Sequence, residues 1–324
     1  MLPVDQAAAD GLVFLPLGGT GEIGMNLNLY GCDGQWIAVD MGVAFADLTV
    51  PGVDLLTPDH SFIAERRDRL LAIVLTHAHE DHIGAVPHLW PDLRCPVYAT
   101  PFTAAMLRSK LVEADLLDQV PLHEVPLGGT LDLGLFSIRY ISLTHSIPEP
   151  NALAIRTPLG TVLHTGDWKI DPSPLVGGTM DQEALQGVGD DGALALICDS
   201  TNVLNAGESG SEAAVRNSLM DLVADCRGRV AITTFASNIA RLETAARVAA
   251  ANGRHAVLVG RSMHRAVAAA RETGYLVDTP PFLDDREGSH LPPDKVLYLC
   301  TGSQGEPRGA MTRIAQGNHA HIAL

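Results

Sequence analysis

The chain has 324 residues, 46% of them hydrophobic and 19% charged, which supplies a real core and excludes disorder as the main state. At roughly 150 residues per domain, this length suggests about two domains. Its 22 basic and 38 acidic residues give a formal net charge of −16. That field excludes a generic basic nucleic-acid binder, so a polyanionic partner must be met by a local basic groove or by bound cations.

In chain order, residues 1–11 lack a cationic leader, and Val13-Phe14-Leu15 is too short for a signal-peptide core or a membrane span. This predicts a cytoplasmic protein without a membrane partner. Short β-rich runs predict strands at 13–17, 26–30, 36–39 and 71–75, then at 136–141, 152–155 and 161–164. Helical patterns fall at 102–114 and just after Ile83. Beyond Asn205 the rhythm becomes a regular β/α alternation, with strands at 229–234, 255–259 and 296–300 and helices at 239–251 and 263–273. That alternation predicts a parallel sheet in a second unit. Residues 278–293 read as a Pro- and charge-rich loop. Cys32, Cys95, Cys198, Cys226 and Cys300 are scattered without a CxxC, and are expected as free thiols acting as small buried hydrophobes.

The segment Gly19-Thr20-Gly21-Glu22-Ile23-Gly24 matches the GxGxxG pattern literally. A dinucleotide site needs those glycines to open a helix, whereas Met25 to Tyr30 alternates with period two. A Gly-rich hairpin is the expectation.

The strongest chemical signal is Thr76-His77-Ala78-His79-Glu80-Asp81-His82, where the strand at 71–75 ends. Three imidazoles and a carboxylate within six residues on a strand-to-helix loop can converge on one point, and this donor set suits zinc or manganese. His145 and Asp167 each follow a later strand and become candidate ligands beside that loop. Asp167 offers two oxygens, which suits a bridge between two cations. Asp40 also ends a strand and is a candidate to orient a ligand histidine from behind.

The series Asp40, His77/His79/Asp81/His82, His145 and Asp167 resembles the five motifs of the metallo-β-lactamase superfamily. Further words, in order, are Gly18 to Gly24, His145-Ser146-Ile147-Pro148, Cys198-Asp199-Ser200-Thr201-Asn202, Thr234-Phe235-Ala236-Ser237-Asn238, Gly260-Arg261-Ser262-Met263 and Thr301-Gly302-Ser303-Gln304-Gly305-Glu306-Pro307. With them the chain resembles the bacterial ribonuclease J family of the β-CASP group.

That resemblance implies an α/β fold: an incomplete αββα metallo-β-lactamase sandwich over residues 1–205, with an inserted, incomplete α/β β-CASP domain over 206–324. It implies two zinc ions, with manganese or magnesium as alternatives. His77, His79 and His145 would hold one metal, Asp81 and His82 the other, and Asp167 would bridge. Asp81, Asp167 and Asp199 become candidate catalytic residues, and Ser237 and Asn238 candidate substrate contacts. A structural calcium at Gly52 and Asp54 competes there with a plain turn. The implied activity is metal-dependent 5′-to-3′ exonuclease and endonuclease cleavage of RNA in maturation and decay. The preferred end is a 5′-monophosphate, and the chemistry is attack by two-metal-activated hydroxide on the phosphodiester. The full-length protein is expected to form a homo-oligomer. Arg261, Arg308 and Lys169 are candidate phosphate contacts.

The family pattern continues past the Thr301 to Pro307 word, so the chain is expected to be truncated, lacking two active-site histidines and a phosphate pocket, with reduced or absent activity as it stands. Two other readings stay open. One is a different hydrolase of the superfamily; the other is a noncatalytic fragment.

Overall fold

A computed structural model describes residues 4–46, 50–303 and 309–322. Arg308 and residues 304–307 of the last family word lie outside the described residues. The chain divides into two compact units, the first made of residues 1–145, 149–170 and 180–207, the second of 146–148, 171–179 and 208–324.

In the first unit, α1 (Val4–Asp10) leads into β1 (Leu12–Gly18), which pairs antiparallel with β2 (Leu27–Cys32). The GxGxxG segment therefore joins two strands of a hairpin, and no helix opens there to receive a pyrophosphate. Next come β3 (Gln35–Val39), the short pair β4 (Ala44–Phe45) and β5 (Leu55–Leu56), α2 (Ser61–Ala64) and β6 (Leu70–Val74). The chain continues through α3 (Glu80–Ile83), α4 (Val86–Leu93), β7 (Val97–Ala99), α5 (Pro101–Glu113) and β8 (Leu122–Glu124). These strands form a six-stranded mixed sheet in the order β1-β2-β3-β6-β7-β8.

A second sheet follows from β9 (Thr130–Leu133), β10 (Phe136–Ser142), β11 (Asn151–Thr157), β12 (Gly160–His164) and, after α6 (Gln182–Asp190), β13 (Ala193–Ile197). Its order is β13-β12-β11-β10-β9. Alternate residues of the two sheets meet face to face: Tyr30, Ile37, Val39 and Val74 pack with Phe136, Ile138, Tyr140, Leu153, Ile155 and Val162, as expected when each strand turns every second side chain to one face. On the outer side, α6 lays Ala184, Leu185 and Val188 over Ile141, Leu143, Ala152 and Ala154. A layer of helix, sheet and sheet results.

The second unit holds α7 (Glu212–Ala224), β14 (Val230–Thr233), α8 (Ile239–Ala251), β15 (His255–Val259), α9 (Arg261–Glu272), β16 (Phe282–Asp284), α10 (Asp285–Ser289), β17 (Val296–Cys300) and α11 (Ala310–Ala315). Its four strands are all parallel, in the order β14-β17-β15-β16. Val257, Val259, Val296, Tyr298, Cys300, Ile314 and Ile322 form its core.

Two expectations are corrected. Residues 278–293 are not all loop, because β16 pairs with β15 and Asp284 then starts α10 with a reciprocal capping box to Glu287. Such a box satisfies two N-terminal N–H groups at once and lets a five-residue helix form in a charged segment. Nor are all five cysteines buried: Cys198 and Cys226 are exposed. Cys198 follows the exposed edge strand β13, and Cys226 follows the C-terminal end of α7, where the Leu222 carbonyl accepts from its thiol.

Candidate metal centre

The candidate ligands sit where strands of the first unit end. Asp40 follows β3, and His77 and His79 follow β6. Asp81 and His82 lie on α3, His145 follows β10, and Asp167 follows β12. Loops at strand ends can aim several side chains at one point while the sheets hold their roots fixed. Here they converge as two groups, His77, His79, His145 and Asp167 in one, and Asp81, His82 and Asp167 in the other.

In the first group, Nε2 of His77 and Nε2 of His145 lie 3.1 and 3.2 Å from Nδ1 of His79. Tetrahedral zinc with Zn–N bonds of 2.0–2.1 Å sets its nitrogens about 3.3 Å apart, so these donors fit one cation. In the second group, His82 Nε2 is 3.6 Å from Asp81 Oδ2 and 3.3 Å from Asp167 Oδ1. The other oxygen of Asp167, Oδ2, lies 3.8 Å from His145 Nε2. One carboxylate thus faces both groups, one oxygen to each.

Behind the ligands stands a buried polar layer. Asp40 Oδ1 accepts from the Thr76 N–H at 2.8 Å, and its Oδ2 lies 2.7 Å from His82 Nδ1. The Thr76 hydroxyl reaches the same carboxylate at 2.9 Å and lies 3.0 Å from His77 Nδ1. Both rings are therefore held by Nδ1, which leaves Nε2 facing the group. Asp40 occupies left-handed backbone at φ 62°, a conformation that Asp tolerates better than most residues. Asn26 donates its amide to the Asp81 carbonyl at 3.1 Å, and Asn151 donates to the Thr76 carbonyl at 3.1 Å. Gly166, at φ 56°, lets the chain turn before Asp167 where a Cβ would stand 3.1 Å from the Thr76 side chain.

Without a bound cation, the electrostatics differ between the two groups. Burial, reinforced by the neighbouring imidazoles, holds His77 and His79 well below the usual histidine pKa, so both are neutral donors at pH 7. Burial also opposes charge on His82, but the carboxylates of Asp40, Asp167 and Asp81 outweigh it and push its pKa well up. For Asp167, burial alone would raise the pKa, and the charge of His82 overrides it, holding the carboxyl well below its usual range.

Thr76, Asn26 and Asn151 escape the sequence reading. Thr76 had a signal, a lone polar residue between an apolar strand and the first histidine. Asn26 and Asn151 had none, since their partners lie 55 and 75 residues away.

The remaining candidates stand elsewhere. Asp199 follows β13. Its N–H donates to Thr165 Oγ1 at 3.1 Å, its Oδ1 accepts from the Thr201 N–H at 2.8 Å, and its charge acts on His145. In the second unit, Asn238 is buried and caps α8, accepting from the Arg241 N–H at 3.0 Å. Ser237 precedes it, half-buried. Arg261 opens α9, and Lys169 pairs its backbone N–H with the Thr144 carbonyl. Gly52, at φ 83°, and Asp54 belong to the turn between β4 and β5, where the Asp54 carbonyl accepts from the Ala46 N–H.

Comparison with known proteins matches residues 38–185 to the beta-lactamase superfamily domain and residues 227–324 to the domain described as "Ribonuclease J, beta-CASP domain". Ribonuclease J of Sinorhizobium meliloti is 50% identical over 99% of this chain and 57% of its own length. Ribonuclease J of Mycolicibacterium smegmatis is 42% identical over the whole chain and 58% of its own length. The chain thus spans a little under three fifths of these curated relatives. A crystal structure of a protein of unknown function from Enterococcus faecalis V583 matches in fold, with a TM-score of 0.60 and 16% identity over 91% of this chain and 78% of that one. The superfamily fold and the converging histidines and aspartates together imply use of a divalent metal.

Proposed function

Because the chain belongs to the ribonuclease J family of β-CASP metallo-β-lactamase proteins, we propose that it serves a metal-dependent ribonuclease of the cytoplasm. The reaction is hydrolysis of RNA phosphodiesters, 5′-to-3′ from a 5′-monophosphate end and also internally, in RNA maturation and decay. The observation that carries this reading is Asp167, whose two oxygens each face one cluster of donors. Shared carboxylates of this kind hold two cations together in hydrolytic sites.

Zinc suits the imidazole-rich donors best, with manganese or magnesium able to substitute where carboxylates contribute. His77, His79 and His145 would hold one cation and Asp81 and His82 the other, with Asp167 between. Such cations supply Lewis-acid activation of water and charge for the phosphoryl oxygens. The chain's own contribution is positioning. Asp40 and Thr76 fix the ring faces of His82 and His77, while Asn26 and Asn151 fix the backbone that bears the ligands. Asp199 is assigned a place beside the substrate through its proximity to His145, and Ser237 and Asn238 a place along the RNA in the second unit. The full-length protein is taken to be a homo-oligomer. Among the described residues no helix is long and apolar enough to cross a membrane.

The test is metal content followed by turnover. After dialysis the chain should retain zinc or manganese, and the loaded full-length protein should release nucleotides from 5′-monophosphorylated RNA. Fewer than about 0.2 metal per chain, where three imidazoles and a carboxylate normally suffice, or a loaded full-length protein inert on RNA, would remove the reading.

Asp40→Asn keeps the left-handed backbone and the side-chain volume but changes what His82 Nδ1 meets. Loss of such an outer partner costs roughly 10–100-fold in metal affinity. Zinc titration should show that loss at the Asp81/His82 group and a much smaller one at the three-histidine group, and equal losses at both would refute the assignment. A structural calcium at Gly52 and Asp54 is proposed with oxygen donors only. Calcium should raise the melting temperature of the wild type and not of Asp54→Ala; an identical calcium response in both would dispose of it.

A further inference from the structure

We propose that Phe45 forms a stacking platform, with Ile23 on the adjoining turn, that holds an unstacked nucleobase of the RNA strand next to the metal centre. The proposal rests on the ribonuclease reading above and adds the residues that grip the substrate.

Phe45 is 70% exposed and Ile23 78% exposed, and the backbone around Phe45 is paired on both sides of it. Phe45 ends β4, paired with Leu55 of β5. Just before it, the N–H groups of Met41 and Val43 donate to the carbonyls of His82 and Glu80 at 2.7 and 3.0 Å. Ile23 lies on the Gly-rich turn, which is anchored to the same segment by the Met25 N–H donating to the Val43 carbonyl at 3.2 Å. A Cβ on Gly24 would come 3.1 Å from the Ala44 Cβ, so the two segments touch. Phe45 is two residues, no more than about 7 Å of chain, beyond Val43, whose N–H donates to the Glu80 carbonyl at 3.0 Å.

Charge argues for a base as the occupant. With a net charge of −16, the protein's field repels a phosphate backbone away from the cations. Affinity for flanking nucleotides must then come from a contact without charge, and the π-face of a base is the uncharged part of RNA. Aromatic rings take such faces regardless of sequence, as an enzyme that degrades many RNAs requires. Phe45 has no ring contact with another aromatic residue among the described residues, and it is 70% exposed.

Fluorescence anisotropy with a cleavage-resistant, phosphorothioate-linked, 5′-monophosphorylated oligoribonucleotide tests this, alongside the same backbone with abasic sugars. Base stacking lost to alanine corresponds to about 5- to 100-fold in affinity. Phe45→Ala should weaken the base-bearing strand by that factor and leave the abasic strand unchanged; Phe45→Trp should restore binding, and Phe45→Leu should not. Unchanged melting shows the variants fold, as expected for an exposed ring. Wild-type affinity in Phe45→Ala, equal losses on both strands, or a change in sedimenting mass that assigns the patch to a second copy of the chain would each overturn the platform. A full-length wild type that binds and cleaves no RNA overturns the ribonuclease reading itself, a distinct result because it needs no variant.

Discussion

Asp167→Ala is expected to lower bound metal from about two per chain to one or fewer, and, in the full-length protein, to slow cleavage of 5′-monophosphorylated RNA by more than about 100-fold. Losing a mere outer-shell partner of a metal site already costs 10–100-fold, and Asp167 faces both donor groups directly. Its loss removes the fourth member of the His77, His79 and His145 group, and leaves the second with only Asp81 and His82. His82 would keep its contact to Asp40 at 2.7 Å, so the scaffold should hold and the melting temperature of the metal-free protein should change little. That separates a site effect from a folding effect. Elemental analysis and single-turnover cleavage are the measurements. A variant that keeps two metals and the wild-type rate would show that the carboxylate is a bystander.

The ligands were legible in the sequence because their spacing is short. His77, His79, Asp81 and His82 fall within six residues, and a strand end followed by a helix start is itself a readable pattern. His145 and Asp167 became readable only in company, since each alone is an ordinary polar residue after a strand. What supports them was not legible, because it acts across the fold. Asn26 reaches Asp81 over 55 residues, and no local pattern marks that pairing. The missed elements fail for other reasons. α7 carries Val215, Leu219 and Val223 at helical spacing, a stripe the reading passed over, although only Glu212 and Val223 of the helix are buried. β13 is an apolar run, Ala-Leu-Ala-Leu-Ile, yet Leu194 and Leu196 are exposed on a strand that borders its sheet. Burial there could not be inferred from hydrophobicity, which is a one-way guide.

Gly42→Ala is expected to destabilise the first unit by roughly 3 kcal/mol or more and to abolish tight metal binding. Added bulk in a packed interior costs typically 1–3 kcal/mol when side chains can shift, but here the obstruction is main chain. A Cβ on Gly42 would stand 1.6 Å from the Asp81 carbonyl oxygen and 2.7 Å from the His82 nitrogen. Neither can retreat without breaking the N–H bonds that Met41 and Val43 donate to His82 and Glu80, or the one Gly42 donates to Asn26 at 2.8 Å. The methyl group would therefore displace the turn that presents Asp81 and His82, although it touches no ligand side chain. Gly187→Ala in α6 is the matched control. A Cβ there meets nothing within 4 Å, and the better helix propensity of Ala should leave stability unchanged or raise it by about 0.5–1 kcal/mol. Urea unfolding and zinc titration of both variants decide the matter. If Gly42→Ala binds zinc like the wild type, the contact between residues 41–43 and the metal loop is not what positions the ligands.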